Sequence, residues 1–250
     1  MIDTHAHLDA CADPAGELVA RAREAGVGRI VTIGSGIDSC RAALRISEED
    51  SGVVAALGIH PHQAGDAGPA DLDELRRLLR HPRAVTVGET GLDYYRDYAP
   101  RPSQHELFRA QAMLAAELGK TLVVHSRAAE AETLAVLEEV PGGVPVILHC
   151  FSSPGLLPAA LERGYYVSFA GNVTYPKADA LGLAAARVPA VRLLAETDSP
   201  YLAPQPVRGR PNEPAHVVHV LAALADARGE DACLLERQIE ANARAAFGLQ

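Results

Sequence analysis

Ile2-Asp3-Thr4-His5-Ala6-His7-Leu8-Asp9 opens the chain and decides how the rest is read. A short apolar run delivers two histidines spaced two residues apart. On an extended backbone such residues point to the same face, roughly 7 Å apart along the chain, so both imidazoles can converge on one ion. The device recurs downstream: Val123-Val124-His125-Ser126, Ile147-Leu148-His149-Cys150 and Glu196-Thr197-Asp198-Ser199-Pro200 each put a metal-competent residue at the end of an apolar run of strand length. Residues so far apart in sequence meet only if their strand ends share one rim of a barrel.

The remaining pattern agrees. Strand-like runs occupy residues 2–8, 29–34, 53–59, 84–89, 121–125, 144–149, 165–169 and 191–197. Between them lie stretches with apolar residues at three- and four-residue spacing, for example 17–25, 71–80, 103–118 and 128–140. Strand and helix alternating in this way predict an α/β chain, a parallel (β/α)8 TIM barrel. Asp13-Pro14, Asp38, Ser103 and Ser153-Pro154 fall where helix N-caps belong, and Gly26, Gly119 and Gly164 where helices should stop. Residues 200–214 hold five prolines and are expected to form an ordered loop at the barrel mouth, followed by two closing helices at 213–228 and 231–247.

At 250 residues and 48% hydrophobic, the chain can bury one large core, so residues 1–250 are expected to form a single barrel domain. No stretch is long and apolar enough to span a bilayer, and no basic leader with an apolar core precedes the first strand. These features predict a cytoplasmic protein with no membrane partner; a monomer is favoured. The four cysteines, Cys11, Cys40, Cys150 and Cys233, contain no C-x-x-C pair, which excludes a disulfide framework and a cysteine-based zinc site. They are expected to be reduced and mostly buried. The net charge of −9 excludes broad electrostatic adhesion to duplex phosphates, so any nucleic acid must be held locally.

In such barrels the reactive groups stand at the C-terminal strand ends. Strand one ends in His5 and His7, strand three in His60 and His62, strand four in Glu89, strand five in His125, strand six in His149 and strand eight in Asp198. One such histidine alone would be read as a rim residue satisfied by a backbone carbonyl; the set reads as a metal site. Imidazole with carboxylate suits zinc, manganese or iron, and a carboxylate bridging two ions also admits magnesium. A purely structural ion is the competing interpretation, but structural zinc sites are closed and usually cysteine-rich, whereas this donor set leaves room for water and substrate.

Seven ordered motifs then carry a family resemblance. They are Asp3-Thr4-His5-Ala6-His7-Leu8-Asp9, Gly58-Ile59-His60-Pro61-His62, Gly88-Glu89-Thr90-Gly91-Leu92-Asp93-Tyr94-Tyr95, Val124-His125-Ser126-Arg127, His149-Cys150-Phe151-Ser152, Glu196-Thr197-Asp198-Ser199-Pro200-Tyr201-Leu202 and Arg208-Gly209-Arg210-Pro211-Asn212-Glu213-Pro214. The chain resembles, end to end, the TatD-type metal-dependent deoxyribonucleases of the amidohydrolase-like barrel superfamily. That resemblance implies His5, His7, Glu89, His125, His149 and Asp198 as ligands, with Glu89 bridging, and one to three divalent ions (Mg²⁺, Mn²⁺ or Zn²⁺) per chain. One departure is Ser153, where the family usually has glycine; before Pro154 it is a good N-cap.

The chemistry implied is hydrolysis of DNA, from the 3′ side and at single-stranded or frayed ends, by water whose pKa a bound ion lowers from near 16 to roughly 7. Asp198 is expected to hold that water and take its proton, or to serve as a ligand only, and Glu89 shares the catalytic assignment through its bridging place. Glu196, facing the same interior one layer deeper, is expected either to orient a histidine ligand or to pair with a buried cation. Arg127, Arg208, His62, Asp93, Tyr201 and Asn212 are the expected substrate contacts. For several, two readings stand open: Arg127 on a phosphate or paired with Glu130, Asn212 on substrate or as a helix cap, His62 on substrate or capping its loop. Tyr94, Tyr95, Tyr98 and Tyr201 could stack on unpaired bases. The rival activity is hydrolysis of another ester, amide or small phosphoester, including removal of an aminoacyl group from tRNA.

Overall fold

The computed structural model describes residues 1–249. Its strands are β1 (Ile2–Ala6), β2 (Arg29–Gly34), β3 (Val53–Leu57), β4 (Ala84–Asp93), β5 (Thr121–Arg127), β6 (Val146–Leu148), β7 (Tyr166–Phe169) and β8 (Leu193–Ala195). All neighbouring pairs are parallel and follow sequence order. Closure occurs just beyond the last strand, where Ala6 bridges Ser199, His7 N donates to Ser199 O (2.7 Å) and Asp198 N donates to His5 O (2.9 Å). The seam of the barrel therefore passes through three candidate ligands.

Helices α1 (Ala15–Glu24), α2 (Ile37–Glu49), α3 (Pro69–Leu78), α4 (Arg101–Leu118), α5 (Glu130–Glu139), α6 (Leu157–Glu162) and α7 (Asp179–Arg187) wrap the sheet, and α8 (Val217–Arg228) and α9 (Ala232–Phe247) complete the shell. Alternating strand residues Ile2, Val31, Ile33, Val54, Val123, Ile147 and Leu194 pack with Ala243, Ala246 and Phe247 of α9, which stops one end of the barrel. The larger apolar cluster lies between the sheet and the helices. Among the described residues no helix is long and apolar enough to cross a membrane.

Several boundaries differ from expectation. Glycine at 36 and proline at 100 precede α2 and α4, so Asp38 and Ser103 lie inside the first turn instead of capping it, and α1 starts one residue later than expected, with Pro14 in place of Asp13 at its N-cap; Ser153 does stand at an N-cap position before Pro154, as expected, but makes no side-chain cap bond. Gly119 does end α4, at a left-handed φ of 61°. The expectation of mostly buried thiols holds only for Cys40; Cys11 and Cys150 are half-buried and Cys233 is exposed.

Two register shifts matter for function. β1 slips against β2 between Asp3 and Ala6, and β4 slips against β5 between Val87 and Thr90. Such irregularities re-aim side chains, and these bracket His5 and Glu89. Gly88 is required at the second: with φ of 129°, a Cβ there would lie 2.4 Å from the Val123 carbonyl oxygen.

Candidate metal centre

Glu89 is buried at the end of the straight part of β4, and its two oxygens face different histidine groups. On the Oε2 side, His5 Nε2 lies 3.3 Å from His7 Nε2, 3.5 Å from Glu89 Oε2 and 3.8 Å from Asp198 Oδ1, and His7 Nε2 is 3.6 Å from both oxygens. Donors bound at about 2.0–2.2 Å to one tetrahedral ion stand about 3.3–3.6 Å apart, so the His5, His7 and Glu89 atoms already have the spacing of a coordination shell, with Asp198 Oδ1 beside the two imidazoles. On the Oε1 side, His149 Nε2 is 2.7 Å, His125 Nδ1 3.0 Å and His60 Nε2 3.3 Å from Glu89 Oε1, and the first two nitrogens are 3.3 Å apart. One carboxylate thus joins two donor groups, which is what a bridging ligand between two cations requires.

The electrostatics fit cations as well. Burial would push the Glu89 carboxyl up, yet the charges of His149 and His60 hold it well below the usual range. Burial pulls His149 down, but Glu89 and Glu196 carry it well above its ordinary value. His7 and His125 likewise end raised: burial is overcome by Asp198 and Glu89 for the first, and by Asp93 and Glu89 for the second. His60, dominated by burial, falls to about 4. The carboxylates thus favour a proton on His7, His125 and His149, while burial disfavours one on His5 and His60; a divalent cation would take the place of those protons.

Supporting contacts fix the rings. Glu196 Oε1 accepts from Cys150 N (2.6 Å) and lies 3.3 Å from His149 Nδ1, the orienting place expected for it. Asp93 Oδ2 lies 3.1 Å from His125 Nε2 and 2.9 Å from His62 Nε2. His5 is different: its Nδ1 is buried without a partner, and its ring is held by stacking on His149 at 4.0 Å and 9°. Deeper still, Asp3 accepts from Thr197 N, Thr197 Oγ1 and His5 N, and burial pushes its pKa up to about 8. Asp198 and Cys150 both take left-handed φ values, 55° and 44°, a conformation non-glycine residues adopt at a cost and mostly at functional sites.

The structure brings all six expected ligands together and adds His60, which the sequence put at a strand end without assigning it a role. Its position depends on α4: Gln111, buried on that helix, accepts from Ile59 N (2.8 Å) and donates to Ile59 O (2.9 Å) and Thr90 Oγ1 (2.7 Å). One signal was available, since His60-Pro61-His62 repeats the spacing of His5-Ala6-His7.

The expected substrate contacts divide. Asp93 is buried; besides the two imidazoles it accepts from Tyr95 N (3.0 Å) and Arg96 N (2.9 Å) through Oδ1. Asn212 is buried and donates to Thr197 O (2.9 Å) and Tyr201 O (2.5 Å), while its Oδ1 accepts from Glu213 N (3.0 Å), tying residues 200–214 to the end of β8. Both therefore use their polar atoms on the protein itself. Tyr201 stays 56% exposed with its ring 5.7 Å from that of His7. Arg127 is not paired with Glu130; its guanidinium lies 4.0 Å from the centre of the Tyr95 ring. Arg208 lies 4.2 Å over the ring of Tyr175 and donates to its hydroxyl. Tyr175, which the sequence did not single out, is pushed up in pKa by burial, and the charge of Asp198 adds to this.

Comparison with known proteins agrees with the geometry. A protein of Mycobacterium tuberculosis named uncharacterized metal-dependent hydrolase TatD is 40% identical over 262 residues, covering 100% of this chain and 98% of its own length. The 3′-5′ ssDNA/RNA exonuclease TatD of Klebsiella pneumoniae is 38% identical over 243 residues, covering 93% of this chain and 91% of that protein. Among solved structures, the TatD homolog YJJV of Escherichia coli superposes with a TM-score of 0.93 at 29% identity, over 100% of this chain and 98% of that one. The family described as TatD related DNase matches residues 2–248, and the chain belongs to it.

Proposed function

We propose that this chain is a divalent-metal-dependent nuclease that removes nucleotides from single-stranded or frayed 3′ ends, with DNA as its principal substrate. Membership of the family makes it a metal-dependent hydrolase. The observation that carries the rest is Glu89, whose two oxygens each face a separate imidazole group across 2.7–3.6 Å. His5, His7, Asp198 and Glu89 Oε2 would hold one ion; His125, His149 and Glu89 Oε1 would hold a second, with His60 beside it. When bound there, divalent ions would supply Lewis acidity toward a phosphoryl oxygen and lower the pKa of a coordinated water.

The chain's own groups supply the remainder. Asp198 is kept ionised at neutral pH: burial opposes this, but His7 and His5 hold its carboxyl below the usual range. It therefore enters the reaction able to accept the proton of the attacking water. Arg127 and Arg208, neither paired with a carboxylate among the described residues, present planar guanidinium donors suited to phosphate oxygens. Tyr201, exposed beside His7, offers a face to a terminal base. The name of the Klebsiella relative supports single strands and the 3′ to 5′ direction.

The test is incubation of purified protein with end-labelled single-stranded DNA, blunt duplex and aminoacyl-tRNA, each with Mg²⁺, Mn²⁺ and Zn²⁺ in turn. Stepwise shortening of the single strand from its 3′ end, faster than the duplex, is expected. Hydrolysis of the aminoacyl ester without nucleotide release from any DNA end would transfer the assignment to ester hydrolysis.

A further inference from the structure

The segment 94–101 after β4 is unlike any other part of the rim. It reads Tyr-Tyr-Arg-Asp-Tyr-Ala-Pro-Arg, three tyrosines and two arginines within eight residues of a chain with formal charge −9. Tyr95 and Tyr98 are 65% and 64% exposed. The rings are interleaved with cations: Arg127 lies 4.0 Å from the centre of Tyr95, Arg96 6.0 Å from the same ring, and Arg101 4.1 Å from the centre of Tyr94. Among the described residues none of these three arginines has a carboxylate partner, whereas arginines on the helical shell are ion-paired, as Arg109 with Glu139 and Arg76 with Glu117.

The strip is joined rigidly to the candidate metal centre. Asp93 holds His125 with one oxygen and the backbone nitrogens of Tyr95 and Arg96 with the other. Arg127 is two residues beyond His125, and Asp93 pairs with Arg127 in the sheet. Gln104 accepts from Asp93 N (2.9 Å) and donates to Ala99 O (2.8 Å), anchoring both ends of the loop to α4. The loop is thus a built platform running outward from the His125 corner. Arg101 at the first position of α4 adds a cation where the helix dipole already favours an anion.

The opposite corner has the other sign. The segment after β1 carries Asp9 and Asp13, and the nearby Arg21 is already bound by Asp13 and Glu213. A polyanion crossing the mouth is repelled there and attracted over segment 94–101.

We propose that segment 94–101, with Arg127, is a binding track for the single-stranded part of a polynucleotide that remains attached beyond the phosphate being cleaved. Exposed rings accept bases of any sequence, and the arginines between them accept phosphates. This proposal rests on the nuclease reading above and adds where the uncleaved strand lies. It makes catalytic efficiency depend on substrate length.

The test measures kcat and KM on single-stranded oligonucleotides of three and twelve nucleotides and on the small diester bis(p-nitrophenyl) phosphate. Wild-type protein is compared with Tyr95→Ala, Tyr95→Phe and Arg101→Ala, each checked for Tm and metal content. Tyr95→Ala is expected to raise KM for the twelve-mer about tenfold with kcat kept, and Tyr95→Phe to restore it. The small diester should be unaffected, and the trimer, which loses only the ring beneath Arg127, should lose far less than the twelve-mer. The slope of log K against log salt should be near −1.4 for the trimer, from about two arginine contacts, and near −2.8 for the twelve-mer, with Arg101→Ala returning about 0.7 of the difference. Equal losses on all three substrates would make Tyr95 a support for Asp93 and overturn the track, as would no loss on the twelve-mer or a wild type indifferent to length. Turnover of the small diester with neither oligonucleotide cleaved would instead refute the nuclease reading, and the track with it.

Discussion

The outer shell and the rim of this barrel use the same charged residues for opposite ends. On the shell, arginine meets carboxylate: Arg41 with Glu74, Arg109 with Glu139, Arg163 with Glu138. Around the candidate metal centre the two are kept apart. Glu89, Asp93 and Asp198 face imidazoles, while Arg127 and Arg208 lie on tyrosine rings. A guanidinium over an aromatic face can keep in-plane N–H donors available, all of them for Arg127 and those other than Nη1 for Arg208, and a carboxylate surrounded by imidazoles keeps its charge for a cation. The surroundings of Glu89 thus divide into candidate cation sites and candidate anion sites that do not neutralise each other, the condition for binding metal and phosphate side by side.

Breaking the rim should cost far more than breaking the shell. The largest effect is expected from Asp198→Asn, which keeps the shape but cannot take a proton: a fall in kcat on the order of a hundredfold or more with KM little changed. Parent-like turnover in a variant of confirmed metal content would remove Asp198 from that role. Glu196→Gln should come next, weakening metal affinity about tenfold to a hundredfold by loosening His149, as read by titration with Zn²⁺ or Mn²⁺. Arg208→Ala should act more weakly, raising KM on a trinucleotide and making its salt slope shallower by about 0.7. The smallest effect belongs to the shell, where Arg109→Ala should leave kcat and KM unchanged and move Tm by no more than about 2 °C. A shell variant that lost activity as rim variants do would break the comparison.

The barrel was legible because each strand is an apolar run, six of the eight ended by a residue out of place in a core, and periodicity reports that directly. The convergence of the six candidate ligands was legible for the same reason. What escaped was geometry beyond the strand ends. β4 was expected to stop at Glu89, but it continues to Asp93, bringing that carboxylate beside His125 and making it a support. β3 stops at Leu57, so His60 is presented by a 3-10 turn, Pro61–Gln63, and by Gln111 of α4, neither of which strand periodicity encodes. The register shifts that aim His5 and Glu89 arise from backbone packing such as that at Gly88, visible only once β5 lies alongside. Arg127 and Arg208 were expected at the mouth, but their tyrosine partners are pairings across the fold: Tyr95 lies 32 residues from Arg127 and Tyr175 33 from Arg208.

The central claim is that Glu89 joins two cation sites. Crystals grown with Mn²⁺ in excess and measured at the manganese absorption edge test it most directly. Anomalous peaks are predicted on both sides of Glu89, one among His5, His7 and Asp198 and one among His125 and His149, each within bonding distance of a different Glu89 oxygen. Ions bound elsewhere, or a single ion leaving one Glu89 oxygen and its facing histidines outside coordination distance, would contradict it.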